Sequence, residues 1–172
     1  EALDKYYARE DTLSLGVCNG CQLMMELNLI NPEHKKNGKM LHNDSHKFES
    51  RFLGVTVPTN RSVMLGSLSG SKLGIWVAHG EGKFSLPYDE DKYNVVLKYS
   101  YDEYPSNPNG SDYSIAGLAS ADGRHLAMMP HLERAIFPWQ NGCYPADRVN
   151  SDQITPCRSI CQCTQVVEAN KK

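Results

Sequence analysis

Apolar positions come in short runs separated by polar, turn-rich gaps. Residues 2–9 put Leu3, Tyr6 and Tyr7 on one side and predict the end of a helix. Residues 12–17 (TLSLGV) are short, partly β-branched and apolar, as a strand is. Residues 22–29 (QLMMELNL) are good helix formers, with no Gly or Pro before Pro32. A tight, glycine-bounded turn at Cys18 therefore joins a strand to a helix. Residues 31–47 are polar and loop-like, while 52–57, 74–78 and the alternating 93–99 predict strands. Residues 100–112 form a connection rich in Asn, Pro and Gly. Two further apolar runs, 115–119 and 124–129, bracket Ala121-Asp122-Gly123, a hairpin signal. The mixture predicts an α/β fold, with no internal repeat and no low-complexity tract.

A length of 172 residues suits one domain with a real core. The 40% apolar and 22% charged content is that of a globular chain rather than a disordered one. A formal net charge of −2 gives no basic footprint, which argues against nucleic acid as the main partner. No apolar run approaches the roughly 18 residues of a membrane span. The start, EALDKYYAREDT, lacks both an initiator Met and the apolar stretch of a signal peptide, so the chain reads as a piece of something longer. The six cysteines are not spaced as in a small secreted scaffold, and the reducing cytosol is the simpler compartment.

Cys18 and Cys21 are spaced C-x-x-C, which fits a redox pair or half a zinc site. Gly16-Val17-Cys18-Asn19-Gly20 also fits the G-x-S-x-G frame of a nucleophile elbow, with Cys replacing Ser. Zinc needs four ligands, and C-x-x-x-C-x-C at 157–163 is no standard partner. His42, Asp44 and His46 in HNDSH lack a third cluster and read as a polar loop. The redox reading leaves the glycines at −2 and +2 from Cys18 unexplained. The elbow accounts for both, because small neighbours let backbone pass close to a strained turn. A helix beginning after Cys18 directs N–H groups at the sulfur and favours thiolate. The Asn19 amide is then the natural oxyanion-hole donor, and Cys21 is a small apolar residue on the first helical turn. A thiolate nucleophile also needs a base and an orienter. His131 follows a predicted strand in MMPH, and Glu133 completes H-x-E, so the carboxylate could hold one imidazole nitrogen while the other faces the thiol.

GVCNGCQ at 16–22 together with MMPHLER at 128–134 resembles the glutaminase domains of phosphoribosylformylglycinamidine synthases, which are triad (class I) glutamine amidotransferases. SHKFESRF (45–52), AHGEGK (78–83), YPSNPNGS (104–111) and DGRHLAMMPH (122–131) support it, in the family's order, across nearly all of 12–148. The resemblance implies a flavodoxin-like α/β domain, N-terminally truncated over residues 1–156. It also implies that Cys18 attacks the side-chain amide of glutamine to form a thioester and release ammonia. His131 shuttles the proton, Glu133 orients it, and water then releases glutamate. Gln22 is implied to shape the glutamine pocket and His79 to lie close to it, with a buried structural histidine as the alternative for His79. The ammonia serves an ATP-dependent amidine-forming step of purine biosynthesis in a synthetase domain. That domain is absent from this segment and is where ATP and Mg are expected; no cofactor or metal is implied here. Leu132 replaces the Pro of the family's H-P-E, for which a changed loop is the expected consequence. The upstream strands and a Gly-rich loop giving a second oxyanion-hole amide are expected before residue 1. Two readings of other classes remain: a C-x-x-C redox or zinc module, and a catalytically incompetent remnant.

The resemblance fades after residue 148, and 157–172 reads as an aberrant tail with no amphipathic period. Residues 158–167 back-translate as CGA AGC ATT TGT CAA TGC ACG CAA GTG GTN. One base forward, the same DNA reads EAFVNARKW, which resembles the C-terminal helix of this family. A compensated frameshift is therefore expected between about 157 and 167, leaving Cys157, Cys161 and Cys163 as by-products that imply no metal. Resequencing the gene checks it: codons compatible with the second frame are expected, and incompatible ones exclude it.

Overall fold

The computed structural model describes residues 2–158. A short helix, α1 (Ala2–Tyr7), leads into β1 (Ser14–Val17) and α2 (Asn19–Glu26). Then come β2 (Lys39–Leu41), β3 (Glu49–Thr56), β4 (Lys72–His79), β5 (Lys83–Ser85) and β6 (Asn94–Tyr99). The last strands are β7 (Ile115–Ala119) and β8 (His125–Met128), followed by 3-10 turns at Leu132–Arg134 and Pro138–Gln140. The α/β expectation holds. Six strands form one sheet in the order β1-β8-β7-β6-β3-β4, and β2 pairs with β5 apart from it. The pairing of β1 with β8 is parallel, and every other pairing in the sheet is antiparallel.

β8 is buried on both faces, which is why Leu126, Ala127 and Met128 follow one another without a polar break. Leu126 and Met128 enter one core cluster with Val55, Ile75 and Val77; Ala127 and Met129 enter another with Ile115, Leu118 and Phe84. α2 covers that second face with Cys21, Met24 and Met25. α1 buries no residue. It is tied to β1 by Tyr6 Oη donating to Leu13 O at 2.6 Å and by Ser14 Oγ donating to Tyr7 Oη at 3.1 Å. Cys157, counted with the tail on sequence, packs into the first cluster, and Thr155 Oγ1 donates to Ala135 O. The remainder of the segment in which a frameshift is expected, with Cys161 and Cys163, lies outside the described residues.

Two sequence expectations shift, and a third holds. The helix expected at 22–29 starts at Asn19 and stops at Glu26. Asn28 takes a left-handed φ of 51°, its N–H donates to Met25 O, and Leu29 N–H donates to Met24 O. These bonds satisfy the last helical carbonyls and turn the chain away. The expected loop at 31–47 contains β2, whose three residues are too few to show alternation and form only against β5. The hairpin turn at 121–123 forms as expected. Gly123 has φ 76°, donates to Ser120 O at 2.9 Å and accepts from Val63 N–H at 2.9 Å. A Cβ there would run into the Arg61 carbonyl oxygen. Gly123→Ala is therefore expected to cost about 2 kcal/mol or more, read as a Tm lower by about 5 °C or more in thermal denaturation followed by circular dichroism.

Candidate active site

Cys18 stands between β1 and α2 with φ 53° and ψ −107°, outside the regions that L-residues favour. The sheet enforces this turn from below. Val17 pairs with Met128 in the parallel register, and Cys18 N–H donates to Met128 O at 2.9 Å. The helix comes back over the strand so closely that a Cβ on Gly16 would meet Gly20 O at 2.6 Å and collide with Met24 Sδ. Gly16 is therefore required. Gly20 is not, because a Cβ there meets nothing within 4 Å. The crowding lies on the strand side of the elbow alone, which corrects the expectation that both glycines serve backbone clearance.

The sheet curls until its two ends meet at this turn. Cys18, which follows the first strand of the sheet order, places Sγ 3.7 Å from Ala78 O on the last, β4. The chain beyond β8 crosses to the same strand, where His131 N–H donates to Trp76 O at 2.8 Å in an isolated bridge. His131 is 8% exposed, and its Nδ1 lies 2.6 Å from Glu133 Oε1. Its Nε2 is buried without a hydrogen-bond partner. Glu133 sits half-exposed in the 3-10 turn after His131, with Arg134 Nε at 3.7 Å. Leu132, at the family's proline position, is buried in the first core cluster.

Asn19 opens α2, so its N–H has no partner inside the helix. Gln22, one turn on, donates from Nε2 to Glu81 O at 2.7 Å and so ties the helix to the AHGEGK stretch. His79 ends β4, is 2% exposed, and has no partner on either ring nitrogen. Burial pulls its imidazole down to about 4; the neighbouring His131 adds to this and the Glu49 carboxylate opposes it. His79 is neutral at neutral pH. Glu49, its cross-strand neighbour, is buried and paired with Arg51 Nη2 at 2.5 Å. The structure thus gathers Cys18, Asn19, Gln22, His79, His131 and Glu133 around the end of β4. Cys21 belongs to the core: it is fully buried, and burial pushes its thiol well up. Cys18 and Cys21 are both free thiols, and no group of three or more His, Cys, Asp or Glu side chains among the described residues is placed to share a metal ion.

The family of CobB/CobQ-like glutamine amidotransferase domains matches residues 1–160. The chain belongs to this family. The amidotransferase domain is 41% identical over 173 residues to phosphoribosylformylglycinamidine synthase of Drosophila melanogaster, covering 91% of this chain and 12% of that protein. It is 44% identical over 161 residues to the probable chloroplastic/mitochondrial synthase of Arabidopsis thaliana, covering 82% and 11%. It therefore spans about an eighth of the length of the curated relatives it matches. The PurLQS structure from Thermotoga maritima superposes with a TM-score of 0.65 at 28% identity, covering 93% of this chain and 62% of that one. A glutamine amidotransferase of the same organism shares the fold at TM-score 0.50 and 15% identity, covering 81% and 47%.

Sequence reasoning on the amidotransferase domain passed over Glu49, Asn43 and Asn109. Each is buried and polar inside or beside one of the family-like stretches, and only tertiary contacts show what it touches. The asymmetry of the elbow glycines can be measured. Gly16→Ala is expected to cost at least about 2 kcal/mol, whereas Gly20→Ala should leave stability unchanged or raise it by about 0.5 kcal/mol. Chemical denaturation midpoints of the two variants check this, and equal losses would contradict the geometry.

Proposed function

We propose that this domain hydrolyses glutamine to glutamate and ammonia, as the glutaminase part of a phosphoribosylformylglycinamidine synthase. The observation that carries the reading is the buried, unpartnered Nε2 of His131, whose Nδ1 lies 2.6 Å from Glu133, on a segment tied to the same strand, β4, that the Cys18 thiol meets. Glu133 fixes the tautomer with the proton on Nδ1, which leaves Nε2 free to accept one. Cys18 Sγ gives its proton to Nε2 and attacks the side-chain carbonyl carbon of glutamine. The oxyanion that forms faces the Asn19 N–H at the start of α2, where the helix dipole favours negative charge. His131 returns the proton to the nitrogen as the C–N bond breaks, ammonia leaves, and a thioester remains on Cys18. Nε2 then takes a proton from water as it attacks the thioester, and glutamate and the thiol are restored. Gln22 and His79 line the pocket in this reading.

The ammonia is consumed, on this proposal, in ATP-dependent conversion of formylglycinamide ribonucleotide to its amidine by the synthetase portion of the same polypeptide. ATP and Mg are assigned, on this proposal, to that synthetase portion, and the glutaminase steps above use this chain's own residues. The cytosol is the proposed compartment, because the cysteines among the described residues that the structure reports are free thiols, as a reducing setting favours. Incubation with the glutamine-like electrophile diazo-oxo-norleucine, with adducts mapped by mass spectrometry, tests the reading. An adduct on Cys18 that excess glutamine slows is expected, and so is its loss in Cys18→Ser. In the full synthase, Glu133→Gln should lower glutaminase kcat roughly a hundred- to ten-thousand-fold. Labelling at Cys21, or labelling indifferent to glutamine, would overturn the assignment.

A further inference from the structure

The turn between β4 and β5, residues 79–82, touches the candidate nucleophile's surroundings and has no internal hydrogen bonds of a regular turn to hold it. Its four carbonyls are instead taken by groups from elsewhere in the chain. Asn43 Nδ2 donates to His79 O at 2.8 Å, and Asn43 N–H donates to Gly80 O at 2.9 Å. Gln22 Nε2 donates to Glu81 O at 2.7 Å, and Asn109 Nδ2 donates to Gly82 O at 2.7 Å. The Gly82 amide is used as well, donating to Asn43 Oδ1 at 3.0 Å.

We propose that Asn43 and Asn109 are positioning residues for the amidotransferase reaction, gripping the Gly82 peptide from both sides and holding the 79–82 turn against the elbow of Cys18. The inference rests on the function proposed above. Both side chains are fully buried, with no exposed surface. Both are also fully engaged, so neither can rotate without leaving polar atoms unpaired. Asn43 Nδ2 has a second acceptor in Lys47 O at 2.9 Å. Asn109 Nδ2 also reaches Tyr99 Oη at 3.1 Å, and Asn109 Oδ1 accepts from Ser111 N–H at 3.1 Å and Ser111 Oγ at 2.7 Å. In a low-dielectric setting such a network is rigid when complete and costly when broken.

The clamp reaches the site in two ways. Ala78, the residue before the turn, carries the carbonyl that meets Cys18 Sγ. Gly82 also packs closely against the His79 ring: a Cβ there would stand 2.5 Å from Nδ1 and 2.7 Å from Cε1. The His79 ring nitrogens have no hydrogen-bond partner, and the pinned Gly82 backbone stands close against the ring and limits its movement. A positive charge on either His79 or His131 disfavours one on the other, so the two rings are near neighbours in the site. Asn43 and Asn109 contact none of the reacting groups and act through the turn.

Two electrophiles separate this role from general support of the fold. Diazo-oxo-norleucine needs a formed glutamine pocket, whereas iodoacetamide needs only a reactive thiol. In the full chain, Asn43→Ala is expected to slow diazo-ketone labelling of Cys18 at least roughly tenfold, with iodoacetamide labelling changed by less than about threefold. Asn109→Ala should behave alike. Asn43→Asp, which keeps the acceptor for Gly82 N–H and loses both donors, serves if the alanine variant fails to fold. Hydrogen exchange followed by mass spectrometry gives a readout independent of labelling: amides of 80–83 should exchange faster in the variants while 115–128 stay protected. Equal slowing with both electrophiles, slowing with neither, or exchange rising through β7 and β8 would each overturn the proposal. A wild-type chain that refuses the diazo ketone would count against the proposed function, and the exchange contrast would still decide the clamp.

Discussion

The main-chain hydrogen bond from Cys18 N–H to Met128 O extends the parallel pairing of β1 and β8 one residue past the end of β1. Parallel strands carry their next residues to the same end of a sheet, so the turn after β1 and the segment after β8 arrive together. One turn supplies the elbow and the other supplies His131. The antiparallel run from β8 to β4 then does something separate. Its strands curl the sheet round until β4 passes beside both segments, taking His131 N–H at Trp76 O and the Cys18 thiol at Ala78 O. Sheet curvature is what brings these three stretches, far apart in sequence, together.

The parts legible in sequence were those with a local steric or chemical cause. Gly16 stands two residues before the cysteine because α2 returns over β1 with no room for a Cβ, and that need is visible as a pattern. H-x-E was legible because a two-residue separation lets Glu133 reach Nδ1 of His131 with no help from the rest of the fold. The strands of the large sheet announced themselves through apolar runs, with ends displaced by a few residues. The turn-clamping role of Asn43 was not legible: it bonds to His79 and Gly82, 36 and 39 positions away, and a lone Asn in a polar stretch looks like any loop residue. The end of α2 was misplaced because a left-handed Asn28 stops a helix that propensity alone would carry on.

Burial treats the histidines differently, and the difference separates a base from scaffolding. His125 is buried at the start of β8, with Nδ1 2.9 Å from Ser14 Oγ and its ring 4.1 Å from that of Tyr7. His79 is buried without any partner, and the loss of hydration keeps it neutral. His131 alone among the described histidines combines burial with a carboxylate on Nδ1 and an unpartnered Nε2. His42 approaches Glu81 only at 3.5 Å and stands largely in water, where such a pair counts for little.

The backbone at Cys18 has a consequence for which side chains the position can ever carry. At φ 53° a branched Cβ crowds the neighbouring peptide groups, so Thr, Val and Ile are shut out whatever their chemistry. Unbranched residues such as Ser or Ala fit at moderate cost, and Gly fits with none. The hydroxyl nucleophile of threonine enzymes is thus unreachable by single substitution, while serine is open. Backbone geometry narrows the evolutionary choice of nucleophile before reactivity can act on it.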